Sequence, residues 1–461
     1  MDEFLKLEIP HQEWLATLCW PVTSSSPERA FLCPLRRSAA LFLFLVYRMR
    51  NLLLAFFLCL ALGTSTRATA QRARHRAVQD SLTAELEALR GQGHFTGFGV
   101  ALVTRHGALY QHGFGLADAQ ARTPYDVHTL QPIASVTKTV VGLALLKAQE
   151  LGKLTLDDPI NQYLPFKVVN PAFPEAPITL RQLANHTSSI RDNDFYLSHN
   201  LYLKPGQPLT GLPRTFREEQ TFIPADSAVA LPVFLQNVLT PQGKWYQAKG
   251  FLARRPGELY EYTNVGTCLA AYVVELATGQ PFQTFAARYL TRPLRMRASG
   301  WHVGDVDFAR YARPYQAPAV PLPYYSLTTY PDGGFISSVA DMSRYLRELI
   351  RGYQGQGTVL GPVSYRDYFR PQLAAANFEE RNERNPFSES YNVGVFMGFG
   401  YTGYIGHTGG DPGVVTLLFF DPKTGIGRLL MLNTNLSGRA SEVAMYTIWN
   451  TLEKYQSRLG R

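Results

Sequence analysis

Cysteine is scarce in this chain, and its distribution argues against both disulfide bonds and thiol chemistry. Of the 4 cysteines in 461 residues, three lie before residue 60 and only Cys268 follows. A single cysteine cannot form an internal disulfide, so the rest of the chain must depend on its hydrophobic core for stability. Cys268 lies in the apolar run Val265–Ala277 with no histidine in a motif beside it. This setting favours a small buried hydrophobe over a nucleophile.

The sequence also lacks the signatures of several classes of protein. The net charge of +9 is scattered, with Arg36-Arg37 and Arg254-Arg255 only as pairs, so no basic segment predicts nucleic-acid binding. No HExxH or comparable ligand spacing predicts a metal site, and no motif requires a cofactor. No G-x-S-x-G elbow surrounds Ser135, which argues against an α/β-hydrolase fold. The partners that remain are small-molecule or peptide-like substrates.

Residues 49–70 contain the three parts of a secretory signal peptide. Met49-Arg50-Asn51 is a short basic start, Leu52–Gly63 is apolar, and Ala68-Thr69-Ala70 supplies small residues before a cleavage site. We therefore predict a secreted or periplasmic protein that contacts the membrane only transiently, through this segment. Residues 1–48 are interpreted as an upstream extension, and residues 71–461 as the mature domain.

The alternative for the N-terminal region is a membrane anchor. Ala39–Tyr47 and Leu52–Gly63 would then form one spanning helix. Such a helix would carry Arg48 and Arg50 near its middle, at a cost of about 2.5–3.5 kcal/mol per charge. This cost favours the signal peptide.

Hydrophobic patterns place strands at the two ends of the domain and helices between them. Strands at both ends favour a single antiparallel sheet, so we predict a mixed α and β fold. Its sheet subdomain would comprise about residues 71–130 and 300–461, with a mostly helical subdomain over 131–299 inserted. The predicted strands are Gly97–Thr104, Ala108–Phe114, Tyr391–Phe399, Val414–Asp421 and Gly427–Asn433, and the longest predicted helices are Ala73–Arg90, Thr137–Leu151, Val265–Ala277, Ala340–Arg351 and Ser441–Tyr455.

Ser135-Val136-Thr137-Lys138 lies where the first of these helices begins. Residues three apart share a helix face, so the Ser135 hydroxyl and the Lys138 amine are predicted to lie close enough for proton transfer. An isolated Ser-x-x-Lys more often combines a capping serine with a solvated lysine. Here the preceding Gln131–Ala134 indicates a buried helix start. We expect desolvation to lower the pKa of Lys138 and make it a usable base.

Two further motifs follow in chain order. Tyr262-Thr263-Asn264 places its outer residues on one side of an extended segment, where the tyrosine can relay a proton and the asparagine can hold the lysine and a substrate carbonyl. His407-Thr408-Gly409-Gly410 reads as a strand whose glycines allow a substrate close to the backbone. Each motif alone has an ordinary structural explanation. The three together predict a serine nucleophile with its proton-handling partners.

These motifs, in this order, resemble those of the serine β-lactamase and penicillin-binding-protein superfamily, specifically its class C-like branch, from about Val78 to Tyr455. The resemblance implies a β-lactamase/transpeptidase-like fold. It also implies that Ser135 is the acylated nucleophile, Lys138 its activating partner and Tyr262 a second proton shuttle. By the same matching, Asn264, His407, Thr408 and Gly409 position the substrate, and the backbone N–H groups of Ser135 and Gly410 form the oxyanion hole.

The third motif departs from the family pattern at its first position. His407 stands where β-lactamases and many peptidases of the superfamily usually carry a lysine, a fixed cation for a substrate carboxylate. Histidine, with an ordinary pKa of about 6.5, is mostly neutral at pH 7. We therefore predict a hydrolase acting through an acyl-serine on a small ester or a peptide-like amide. The alternatives are a D-alanyl-D-alanine carboxypeptidase or weak β-lactamase, and a penicillin-recognising sensor that is acylated without turnover.

Overall fold

The computed structural model describes residues 34–217, 220–379, 391–400 and 403–460. The chain divides into two units, Met1–Ala73 and Arg74–Arg461. Helix α1 has the bounds Pro34–Arg90, and its residues from Arg74 onward belong to the second unit. The predicted signal peptide and the division into two subdomains stay predictions, and residues 1–33 of the predicted extension lie outside the described residues.

None of the helices within the described ranges combines the length and the apolar character that a membrane crossing needs.

The second unit is built on an antiparallel sheet with helices on both faces. The remaining helices are α2 (Thr137–Glu150), α3 (Leu180–Ala184), α4 (Asp194–His199), α5 (Leu231–Leu239), α6 (Asn264–Thr278), α7 (Phe282–Ala286), α8 (Tyr330–Gly333), α9 (Val339–Tyr353), α10 (Pro362–Tyr368) and α11 (Arg439–Leu459). The strands are β1 (Gly97–Thr104), β2 (Gly107–Asp118), β3 (Thr123–Pro124), β4 (Gln131–Pro132), β5 (Leu201–Leu203), β6 (Thr215–Arg217), β7 (Gln220–Thr221), β8 (Tyr315–Ala317), β9 (Val320–Pro321), β10 (Tyr325–Leu327), β11 (Ile336–Ser337), β12 (Asn392–Val393), β13 (Gly398–Phe399), β14 (Ile405–Asp411), β15 (Val414–Asp421) and β16 (Ile426–Leu432).

The main sheet joins strands from both ends of this unit. Over the described residues its order is β12-β13-β14-β15-β16-β1-β2-β3. Strand β1 lies between β2 and β16, with Phe98 opposite both Phe114 and Leu432. The predicted mixed fold with one antiparallel sheet is therefore confirmed.

The two faces of the sheet pack against different helices because side chains alternate along each strand. In β15, Val415 and Leu417 belong to the core that α1 and α11 complete. Leu418 and Phe420 belong to the core that contains α2, α6 and α9. The start of α2 therefore meets the sheet on this second face, where β14 passes it.

Candidate active site

Ser135 lies in a 3₁₀ turn, Ala134–Val136, directly before α2. Ala134 has a φ of 48°, a left-handed conformation that costs free energy for a residue with a Cβ atom. From the first turn of α2, the Lys138 ammonium donates a hydrogen bond to Ser135 Oγ at 3.0 Å. The structure therefore brings the two side chains of the Ser-x-x-Lys motif into direct contact.

The Lys138 ammonium is buried and its three donors are all engaged. Besides Ser135 Oγ, it donates to Asn264 Oδ1 at 2.7 Å and to the backbone oxygen of Asp332 at 2.7 Å. Its Nζ also lies 5.0 Å from the centroid of the Tyr262 ring. Since an ammonium has three N–H groups, this geometry fixes its position completely.

The pKa of Lys138 lies above its ordinary value, contrary to the expectation from sequence. Burial favours the neutral amine, but the electrostatic contributions of Tyr262 and Asp332 outweigh burial and favour the ammonium. The sequence predicted the burial and not the neighbouring charges. In the resting site Lys138 is therefore charged. Before Lys138 can accept the proton of Ser135, it must first release one of its own.

Asn264 is held by a carboxylate that the sequence analysis missed. The Asn264 side-chain amide donates to Asp192 Oδ2 at 2.7 Å, which turns its oxygen toward Lys138. The same carboxylate accepts hydrogen bonds from the backbone N–H groups of Asn264 and Val265, both at 2.9 Å, and from the Thr263 hydroxyl at 2.9 Å. Asp192 thus caps the start of α6 and orients the amide that holds the lysine.

We expect Asp192→Asn to lower kcat/KM about 10- to 100-fold, because misplaced catalytic groups cost this much. The new amide would face the Asn264 amide with two donors, so Asn264 would turn its nitrogen toward Lys138. The helix cap survives in part, since an asparagine oxygen still accepts from backbone N–H groups. Steady-state kinetics and thermal unfolding measured together separate the positioning role from the structural one.

The matched control is Asp194→Asn, which removes an exposed carboxylate paired with Lys249. Exposed ion pairs contribute little to stability, so this variant should keep both activity and stability. Equal activity losses in the two variants, or an Asp192→Asn loss explained by unfolding alone, would contradict the positioning role.

Two histidines, His186 and His407, lie beside the Tyr262 ring, and both are neutral. His407 occupies the motif position where the family usually has a charged lysine. The ring centroids of His186 and His407 lie 4.7 Å and 6.2 Å from that of Tyr262. Burial and the Lys138 charge lower the pKa of His407 to about 4, and burial lowers the pKa of His186 well below its ordinary value. His407 Nδ1 contacts the Thr408 carbonyl oxygen, which can only accept, so Nδ1 carries the proton. His407 therefore offers a neutral ring with Nε2 as an acceptor.

Gly409 brings strand β14 against the turn that carries Ser135. A Cβ atom on Gly409 would lie 2.5 Å from the Ile133 carbonyl oxygen and 2.9 Å from the Ser135 nitrogen. A Cβ atom on the next residue, Gly410, would meet nothing within 4 Å. Thr408, on the other side of Gly409, is exposed. The N–H groups predicted to form the oxyanion hole, those of Ser135 and Gly410, therefore belong to segments in direct contact.

Two buried carboxyl groups complete the surroundings of Lys138. Asp332 accepts a hydrogen bond from the Tyr196 hydroxyl at 3.0 Å, and burial raises its pKa to about 6 despite the Lys138 charge. Burial and the Asp332 charge raise the pKa of Asp411 to about 8. Cys268 is buried and free, with Sγ 3.5 Å from Asp332 Oδ2. No sequence motif marked Asp332 or Asp411. Asp332 occurs in a Tyr-Pro-Asp-Gly string, which is typical of an ordinary turn.

A serine in contact with a buried lysine, beside a tyrosine and a strand with close backbone approach, defines the site of a serine hydrolase. The family model described as Beta-lactamase matches residues 82–452 of the chain. The chain therefore belongs to the beta-lactamase family, and the resemblance to the serine β-lactamase and penicillin-binding-protein superfamily is confirmed.

Individual relatives agree with this assignment. The chain is 30% identical to the esterase EstB of Burkholderia gladioli over 218 residues, which is 47% of this chain and 49% of the esterase. It spans about half the length of the curated relatives it matches. The D-amino acid amidase of Ochrobactrum anthropi SV3 superposes with a TM-score of 0.58 at 17% identity, over 82% of this chain and 99% of the amidase. The D-alanine carboxypeptidase AmpC of Burkholderia cenocepacia superposes with a TM-score of 0.57 at 18% identity, over 82% of this chain and 99% of the carboxypeptidase. These two structures show the shared fold.

Proposed function

We propose that this protein is an exported hydrolase of small, uncharged esters that works through an acyl-Ser135 intermediate. The observation that carries the proposal is the Lys138 ammonium held against Ser135 Oγ at 3.0 Å by Asn264 and Asp332. The relative EstB, an esterase by name, supports the choice of ester. The predicted signal peptide at residues 49–70 supports export, which N-terminal sequencing of the protein from culture medium or periplasm would test.

In the reacting form of the site Lys138 has released one proton to solvent. The Ser135 oxygen then attacks the ester carbonyl carbon, and its proton passes to the pair formed by Lys138 and Tyr262. The N–H groups of Ser135 and Gly410 stabilise the negative charge on the carbonyl oxygen. The bond from the acyl carbon to the alcohol oxygen then breaks, and the pair returns its proton to that oxygen. Water attacks acyl-Ser135 by the same proton route, which releases the acid and restores the serine.

The protonation state of His407 favours uncharged esters over substrates whose carboxylate needs a cation at this position. A pKa of about 4 leaves the ring neutral at pH 7, with Nε2 as an acceptor. A substrate carboxylate placed there would meet no positive charge from His407, and would lose a charge-assisted bond worth about 1.5–3 kcal/mol. A β-lactam or a peptide C-terminus is therefore a poor substrate, whereas an uncharged ester loses nothing.

We expect the purified protein to turn over p-nitrophenyl acetate many times at pH 7, and to react with benzylpenicillin at least about 10-fold more slowly. Absorbance gives turnover, and intact mass gives any covalent adduct. Ser135→Ala is the control that must lack both signals.

Other results would identify the alternatives. A serine-dependent penicillin adduct that stops at one equivalent would indicate a sensor, and steady loss of penicillin a β-lactamase. Release of D-alanine from a D-alanyl-D-alanine peptide, without ester turnover, would indicate a carboxypeptidase. Ester turnover that persists in Ser135→Ala would overturn the proposed nucleophile.

A further inference from the structure

A cavity of about 260 Å³ lies next to the candidate active site, on the face of the sheet covered by α11. Its wall comes from the β13–β15 edge of the sheet and from α11. Three glycines, Gly398, Gly400 and Gly406, contribute only backbone to this wall, which leaves the space open. We call it the aromatic pocket, after the side chains that line it: Tyr391, Tyr404, Leu417, Phe419, Tyr446 and Trp449.

Among the described residues, the carboxylate that lines the aromatic pocket belongs to Glu453, and it is paired with Arg428. Arg428 is buried, with its guanidinium 4.6 Å from the Tyr404 ring centroid and 4.5 Å from that of Trp449. It donates to Glu453 at 2.8 Å, and the Tyr404 hydroxyl donates to the same carboxylate. This network holds two of the rings in place and neutralises the Glu453 carboxylate. The pocket therefore suits an uncharged aromatic group.

The aromatic pocket and the Ser135 turn both adjoin strand β14. Strand β13 pairs with Ile405 and Gly406, and no other strand among the described residues pairs with His407–Asp411 on that edge. His407 and Thr408 line the pocket, and Gly409 touches the Ser135 turn. At about 3.3 Å per residue, the pocket begins roughly 3–10 Å from Gly409 along the strand. The substituent that joins the two would have to pass the edge of β14 beside His407 and Thr408.

The position of Tyr262 indicates which side of the ester points to the pocket. The departing alcohol oxygen must receive a proton from the Lys138–Tyr262 pair. The ring of Tyr262 lies 6.2 Å from that of His407, which lines the pocket. The alcohol side of the ester is therefore on the pocket side of Ser135.

We propose that the aromatic pocket binds the alcohol part of the substrate, and that this part is an uncharged aromatic alcohol such as an arylethyl group. The proposal rests on the proposed esterase function and specifies its substrate class. The chemistry is unchanged: the acyl–oxygen bond breaks, and the aromatic alcohol leaves with the proton from the Lys138–Tyr262 pair.

The test compares acetate esters that differ only in the alcohol. 2-Phenylethyl acetate and ethyl acetate give the same acetyl-Ser135, so a difference in kcat/KM reports binding and acylation alone. We expect a ratio of about 10 to 100 in favour of the aromatic ester, the effect of burying one aromatic ring. Tyr446→Ala should lower this ratio, and Asn450→Trp should remove it by filling the pocket.

Val443→Ala is the matched control, because Val443 is exposed on the same helix and lies outside the pocket lining. A ratio near 1 in the unmodified protein, or a ratio unaffected by Asn450→Trp, would overturn the proposal. So would an aromatic preference on the acyl side, measured with methyl phenylacetate against methyl acetate, that Asn450→Trp removes.

Binding of 2-phenylethanol to Ser135→Ala, followed by tryptophan fluorescence, tests the pocket without any turnover. Trp449 lines the pocket, so the alcohol should change the fluorescence, and Asn450→Trp should no longer bind it. If no ester is turned over, the proposed function fails, and this binding experiment still decides whether the pocket accepts an aromatic alcohol.

Discussion

Lys138→Met is expected to slow the acylation of Ser135 about 10³- to 10⁴-fold, near the upper end of what a single general acid–base group contributes. The ammonium contacts Ser135 Oγ, Asn264 Oδ1 and the Asp332 backbone oxygen at once. Methionine fills a similar volume without any donor. The serine would keep its place at the start of α2 but lose the group that holds its hydroxyl and manages its proton.

The measurement is a single-turnover experiment in which the acetyl-enzyme is counted by intact mass after mixing with excess p-nitrophenyl acetate. Lys147→Met is the matched control, because Lys147 lies on the same helix and pairs with Glu150 near the surface. Acylation of Lys138→Met within tenfold of the unmodified rate would exclude a central role for the lysine.

The unfolding temperature of Lys138→Met distinguishes the loss of proton transfer from a general loss of structure. The Lys138 charge lowers the pKa of Asp332 and of Asp411, so its removal should raise both. The three oxygens that accept hydrogen bonds from Lys138 would lose their donor, and each would lower the stability by about 1–3 kcal/mol if nothing else bonds to it. We therefore expect a lower unfolding temperature in a variant that remains folded at 20 °C, and the kinetics should be measured there.

The parts of the site that could be predicted from sequence are those whose geometry is local. Ser135 and Lys138 are one helical turn apart, so their contact follows from helix geometry alone. Tyr262 and Asn264 are two apart in an extended segment, which likewise fixes their relative direction. The antiparallel sheet was predictable for a similar reason, since alternating patterns identify strands such as β1 and β15 one at a time.

The groups that tune the site could not be predicted, because they come from distant parts of the chain. Asp192 and Asn264 are 72 positions apart, and Lys138 and Asp332 are 194 apart. Their meeting depends on the packing of α2, α6 and α8. The direction of the Lys138 pKa shift depends on this packing too, so the sequence-based expectation was wrong even though the burial on which it relied is present.

One strand was predicted too long for a related reason. Tyr391–Phe399 has a strand-like pattern, but only Asn392–Val393 and Gly398–Phe399 pair in the sheet. Between them Phe396 has a φ of 55°, is buried, and donates its N–H to the Ala184 carbonyl at 2.8 Å. Its ring lies 5.4 Å from that of His186. Burial of this ring against the histidine beside Tyr262 outweighs the local preference for a continuous strand.

Gly409→Ala is expected to lower kcat/KM about 10²- to 10³-fold, the usual effect of losing one oxyanion-hole donor. The added Cβ would lie 2.5 Å from the Ile133 oxygen, 2.9 Å from the Ser135 nitrogen and 3.0 Å from the Ala134 Cβ. Two of these atoms are backbone, so neither can yield without moving the turn itself. The turn is already constrained by the left-handed Ala134. The Ser135 N–H must therefore move relative to strand β14.

Comparison with Gly304→Ala and Gly410→Ala isolates this effect. A Cβ atom on either glycine meets nothing within 4 Å, and neither has a positive φ. Gly304→Ala, outside the site, should keep its kcat/KM. Gly410→Ala should lose less kcat/KM than Gly409→Ala, because its Cβ atom meets no neighbour that would have to move. The deacylation rate should fall with the acylation rate, since both steps place negative charge on the same oxygen. A Gly409→Ala variant with unchanged kcat/KM would show that the close approach of β14 to Ser135 does not form the oxyanion hole.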